Sequence, residues 1–155
     1  MIEALDKFYK ELAEYEVGFF YFSGHGLQNL KNINYIAPIN AKLENQRDIE
    51  TDCVSLNYIM ENMESKEAKV NIMIIDACRN VSGLHEKGGC GGMAKMNAPQ
   101  GSIIAFATAE GKAAIDGGKG DNSVYTLHLL QNLKKGEKLY EVLRQTRQDL
   151  SLIHI

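Results

Sequence analysis

Two residues carry the chemistry this sequence offers. His25 sits between glycines in Ser23-Gly24-His25-Gly26, and Cys78 closes Asp76-Ala77-Cys78. A thiol attacks well only as the thiolate, and an adjacent imidazole generates or stabilises that form. Each residue follows a strand-like apolar run: "VGFFYFS" (17–23) precedes His25 and "VNIMIID" (70–76) precedes Cys78. If the two strands are parallel neighbours, both residues emerge on the carboxyl edge of one sheet, where the sites of α/β proteins form. Gly24 and Gly26 are expected to allow unusual backbone conformations and a close approach of substrate main chain to His25. The N–H groups of Gly26 and Cys78 are then candidates to bind a developing oxyanion. Each residue alone also has a plain structural reading, the cysteine as a small buried hydrophobe and the histidine as a turn residue. Their joint placement at two strand ends is what points to nucleophilic catalysis.

The intervening segments supply the scaffold. "EALDKFYKELAEY" places Ala4, Leu5, Phe8 and Leu12 on one helical face. After the strand 17–23 comes a short apolar segment, "NYIAPI" (34–39), ended by Pro38. "TDCVSLNYIMENMESK" (51–66) reads as a helix capped by Thr51 or Asp52. Then come the strand 70–76, a Gly-rich loop (78–101), a third buried strand "SIIAFATA" (102–109) and a second Gly-rich loop (110–122). "SVYTLHLLQNLKKG" (123–136) reads as a helix with Val124, Leu127, Leu130 and Leu133 at helical spacing, closed by Gly136. A last helix begins at "EKLYEVLRQTRQDL". Alternating strands and helices predict an α/β domain with a mostly parallel sheet. Loops this long in a compact domain commonly carry function.

Composition removes several function classes. Formal net charge is −3, and the Lys and Arg residues form no stripe, so nucleic-acid binding has no electrostatic support. No apolar run approaches the roughly 18–20 residues a bilayer demands, and no signal-peptide pattern is present. The three cysteines, Cys53, Cys78 and Cys90, show no C-x-x-C spacing and no zinc-ligand intervals with histidine, so no metal site is expected. His85 and Cys90 alone make a weak pair. Free thiols in this number suggest a reducing, cytoplasmic setting. The Gly-rich loops contain neither G-x-x-x-x-G-K-[ST] nor G-x-G-x-x-G, which argues against nucleotide binding.

"YFSGHG" followed by "IIDACR" resembles the caspase-like cysteine peptidases (peptidase C14), specifically the metacaspase-related members found in bacteria. The separation of His25 and Cys78 is near the roughly 50 residues expected between caspase His and Cys. The resemblance continues through "NYIAPINA", "GSIIAFATAEGKAAIDG" and "NSVYTLHLL", and covers about residues 4–149. It implies a three-layer αβα sandwich with a mostly parallel sheet, incomplete at both ends by comparison with the family. It implies Cys78 as nucleophile, His25 as general acid/base, and Gly26 and Cys78 as oxyanion-hole donors. True caspases carry Q-A-C-x-G at the nucleophile, whereas this chain has "DACRN". No arginines match those that hold an acidic P1 side chain. In metacaspase-like relatives an Asp two residues before the Cys helps bind a basic P1 residue, which here is Asp76. Alternation along a strand points Asp76 and Cys78 roughly the same way, and a carboxylate after "NIMII" needs a cation or hydrogen bonds if buried. Asp116, in "AAIDGG", matches a second acidic position of the family pocket, and Ser23 is a further pocket candidate. The expected substrates are proteins or peptides with Arg or Lys at P1.

Some relatives require calcium. No EF-hand-like acidic loop is present, and the sequence leaves calcium dependence open while implying no other cofactor. Lys87 and Lys95, in the loop where family members are often cut, are candidate self-cleavage positions. The alternative reading is a catalytically inactive caspase-like scaffold, and retention of His25, Asp76 and Cys78 together speaks for the enzyme. The final "LSLIHI" follows a polar helical stretch without a cap and matches the translated end of a transposon used in sequencing libraries. Residues 150–155 are therefore expected to be a non-native tail.

Overall fold

The computed structural model describes residues 1–78, 93–107 and 122–153. Residues Met1–Ala113 form one compact unit and Ala114–Ile155 a second. The first contains α1 (Ile2–Leu12), β1 (Val17–Gln28), β2 (Asn34–Ile36), α2 (Gln46–Asp52), β3 (Val54–Ser55), α3 (Leu56–Glu64), β4 (Val70–Cys78) and β5 (Ser102–Phe106). The second contains α4 (Val124–Leu133) and α5 (Leu139–Ile153).

The strands form one sheet in the order β3-β2-β1-β4-β5. β1 pairs parallel with β4 from Val17↔Val70 to His25↔Cys78, and β4 pairs parallel with β5 from Asn71↔Ser102 to Ile75↔Phe106. The last three residues of β1 pair antiparallel with β2, which pairs antiparallel with β3. The expected parallel sheet is thus present, with a short antiparallel border. β4 lies inside it, and Met73, Ile74 and Ile75 are at most 1% exposed. A run this apolar and rich in isoleucine suits a strand buried on both faces.

One face of this sheet packs on α1 and α3. Leu5, Tyr9 and Leu12 of α1 and Leu56, Ile59, Met60 and Met63 of α3 are buried at helical spacing. They share a core with Met73, Ile75 and Ala77 of β4 and with the partly buried Phe20 and Phe22 of β1. Phe8 packs against this core, as its place on the helix predicts, whereas Ala4 is exposed. Met73 is fully buried. Met73→Ala is therefore expected to cost about 2–5 kcal/mol and to lower the thermal midpoint by roughly 5–15 °C. Scanning calorimetry checks this, and a change under about 2 °C would mean that the core closes around the lost volume.

Two helices differ from expectation. The stretch 51–66 is not one helix: Thr51 and Asp52 end α2, and Val54–Ser55 form β3 instead. The β-branched Val54 takes the place opposite Ile36 and holds the backbone extended, so the cap of α3 is Ser55, which accepts from the Tyr58 N–H. Asn45 caps α2 in a reciprocal box with Asp48. In α4 the apolar stripe faces outward: Leu127, Leu130 and Leu133 are 46%, 42% and 41% exposed. The buried residues are Tyr125, Thr126, Leu129 and Asn132. Polar bonds to α5 explain why Asn132 turns inward. Its Nδ2 donates to Thr146 Oγ1 (3.2 Å) and Asp149 Oδ2 (2.9 Å), while Gln145 donates to Asp149 Oδ1 (2.8 Å). The bonds from Asn132 first, then Gln145, hold the Asp149 carboxyl below its ordinary range. Gly136, at φ 70°, closes α4 as expected. α5 runs unbroken through Asp149 to Ile153. No helix among the described residues is long and apolar enough to cross a membrane.

Candidate active site

The β1–β4 ladder decides where His25 and Cys78 lie. Both strands run further than the apolar pattern suggested. β1 extends to Gln28 and β4 to Cys78, so His25 and Cys78 are strand residues and not the first residues of loops. The reason is pairing. Residues 23–25 have β4 on one side, and residues 26–28 find β2 as a new partner. His25 and Cys78 are register partners at the last rung, so their backbones lie about 5 Å apart, the spacing of neighbouring strands. Ser23 and Asp76 are partners one pleat earlier. Alternation puts Ser23, His25 and Asp76 on one face, opposite the face where Phe22 and Ala77 join the core. His25 and Ser23 are exposed, and Asp76 is 3% exposed.

Gly26 is required by packing. A Cβ there would come within 2.8 Å of Ala77 Cβ and 2.9 Å of Met93 Sδ, closer than real contacts allow. This corrects the expectation that its role is backbone freedom, since its φ is not positive. The Ala37 N–H donates to the His25 carbonyl at 3.0 Å, so the backbone polar groups of His25 face β2. Alternation in the ladder turns the N–H of Gly26 the other way, toward β4 at the rung of His25 and Cys78.

The other sequence candidates divide into three groups. Asp116, Lys87, His85 and Cys90 lie outside the described residues. Lys95 is exposed. Cys53 is half-buried, and burial, followed by the nearby Asp52, pushes its thiol up to about 11. A thiol held protonated in this way is a poor nucleophile, so Cys53 does not compete for the role given to Cys78. Among the described residues no group of three or more His, Cys, Asp or Glu side chains could hold a metal ion. Met93 and Asn34, which pack and tie the chain beside Gly26, were not legible as site residues. A lone methionine after a Gly-rich stretch and an asparagine before an apolar triplet give no periodic or spacing signal.

The model of the caspase domain family, peptidase C14, matches residues 1–154. The chain belongs to the caspase domain family. Two curated relatives align with it over 157 residues at 23% identity. They are the mucosa-associated lymphoid tissue lymphoma translocation protein 1 homolog of Mus musculus and the corresponding protein 1 of Homo sapiens. The match covers 100% of this caspase domain and 18% of each relative, so the chain spans about a fifth of their length. The family fits the α/β architecture with its parallel β1-β4-β5 core. It also gives a context to the histidine and cysteine that face each other across the last rung of that core.

Proposed function

We propose that this caspase domain is a metacaspase-like cysteine endopeptidase that cleaves after Arg or Lys through His25 and Cys78. The observation that carries this reading is the register His25↔Cys78, which sets the two residues side by side at the carboxyl edge of the sheet. In the proposed reaction the Cys78 thiolate adds to the scissile carbonyl carbon. By the family pattern, the oxyanion would be met by the N–H groups of Gly26 and Cys78. His25 protonates the departing amine, leaving an acyl-enzyme, and then takes a proton from the water that hydrolyses it. Its exposure suits both duties, since leaving group and water arrive from solvent.

The basic P1 preference rests on Asp76. A buried carboxylate on the same face as His25 offers a planar acceptor for guanidinium, bidentate in the Arg case, or for ammonium. Ser23, its register neighbour, would add a hydroxyl to the same pocket, and Asp116 would be a second acidic wall by the family pattern. Free thiols fit work in a reducing compartment such as the cytoplasm. The caspase-like chemistry needs no metal or organic cofactor in the reacting set, and calcium would act outside it.

The test is intact-mass labelling by two peptide ketones, one with Arg and one with Asp at P1, beside a Cys78→Ser control. Labelling by the Arg reagent, absent in the control, is the expected result. Labelling by the Asp reagent alone would overturn the specificity. Labelling by neither would favour a non-catalytic scaffold.

A further inference from the structure

We infer that Asn34 is a positioning residue for the His25–Cys78 site, acting through Ala94 and Met93. The inference rests on the reading of His25 and Cys78 as the reacting pair. Asn34 is 1% exposed, at the start of β2. Its Nδ2 donates to the Ala94 carbonyl at 2.7 Å, and its Oδ1 accepts from the Ala94 N–H at 2.8 Å. Both backbone polar groups of one residue are thus held by a single buried side-chain amide. The contact spans 60 positions of sequence and ties β2 to the segment that leads into β5.

Met93, next to the clamped residue, is 6% exposed and belongs to the core that contains Ile36 and Ala77. Its Sδ and Cε lie 2.9 and 3.2 Å from the place a Cβ on Gly26 would take, and Ala77 Cβ lies 2.8 Å from that same point. Met93 therefore fills the space behind Gly26 and Ala77. These are the chain neighbours of His25 and Cys78. What sits behind them sets the separation of the two backbones at the last rung and the direction of the Gly26 N–H. Methionine is an adaptable filler, and it holds a fixed position only if its own backbone is fixed. The Asn34 clamp fixes it. β2 thereby acts on the site twice, by pairing Ile36 with Gly26 and by holding Ala94 with Asn34.

A purely structural asparagine would change stability alone, so the test reads the site. In the full chain carrying Cys53→Ser and Cys90→Ser, Cys78 is the sole thiol. Its alkylation by iodoacetamide is followed by intact mass between pH 5 and 9. The ionisable groups at this end are His25 on β1, Asp76 on β4, Tyr35 on β2 and Lys95 beside the clamped Ala94, and β5 carries none. A cysteine paired with His25 titrates below the ordinary thiol value of about 8.5. Asn34→Ala is expected to slow alkylation at pH 6.5 at least fivefold and to move the midpoint toward that ordinary value. Met93→Ala should do the same, while the volume-keeping Met93→Leu stays within twofold of the parent. The Met93 pair reads the same quantity if Asn34→Ala does not fold. An Asn34→Ala protein with unchanged rate and midpoint overturns the inference, as do indistinguishable Met93→Ala and Met93→Leu proteins. A parent that reacts with an ordinary midpoint, or not at all, overturns it too. Because alkylation needs no peptide, a shifted midpoint in Asn34→Ala beside a parent unlabelled by the Arg ketone would leave the clamp standing and remove the peptidase reading.

Discussion

Cys78→Ala is expected to abolish cleavage of Arg- and Lys-containing peptides, and His25→Ala to lower kcat/KM by about ten-thousandfold or more. The size of the effect follows from the roles. Without the thiolate there is no acyl-enzyme, and without the imidazole the thiol stays protonated and the leaving amine departs unassisted. In the proposed mechanism the two residues, partners at one rung of the β1–β4 ladder, act as a unit, so the double variant should be no worse than Cys78→Ala alone. Active-site titration followed by steady-state hydrolysis measures this. More than a hundredth of the parent activity in Cys78→Ala, with the fold intact by circular dichroism, would assign the chemistry to another residue.

Asp76→Asn is the second large effect. The substitution keeps the shape of the side chain and removes its charge from a site that is only 3% exposed. If a substrate guanidinium binds at that site, losing the carboxylate leaves a desolvated cation without its partner. A penalty of about 3–4 kcal/mol, typical for breaking a buried ion pair, corresponds to a loss of roughly a hundredfold to a thousandfold in kcat/KM for Arg at P1. A neutral P1 residue should lose little. The selectivity of the loss is the diagnostic quantity, because a carboxylate that only supports the end of β4 would lower turnover of every substrate alike. Equal losses for Arg and neutral P1 peptides would reassign Asp76 to structure.

Much of this was legible in the sequence because the signals are local and periodic. The run "NIMII" demands burial on both faces and so a central parallel strand, which β4 is. The spacing of Leu5, Phe8 and Leu12 foretold the face of α1 that covers the sheet. His25 and Cys78 stood out because reactive side chains followed two such strands. What the sequence left open is cross-strand. Where a strand stops depends on whether a partner is available, and β1 continues past Ser23 because β2 takes over its last residues. The pairing of His25 with Cys78, one rung and not two, is a register fixed by the packing of Phe20 and Phe22 with Met73 and Ile75. The same applies to polar residues. Asn34 and Asn132 read as loop-like or surface residues in a window of neighbours, yet each is 1% exposed because a partner distant in sequence satisfies its amide. The leucines of α4 show the converse, since helical spacing tells that a stripe exists but not which way the helix turns it. Residue types and periods determined the main strands and most helices, and they singled out His25 and Cys78 as candidates. Tertiary structure decided register, the packing need for Gly26 and the clamp behind it, because each is an interaction between segments whose distance along the chain hides their contact in space.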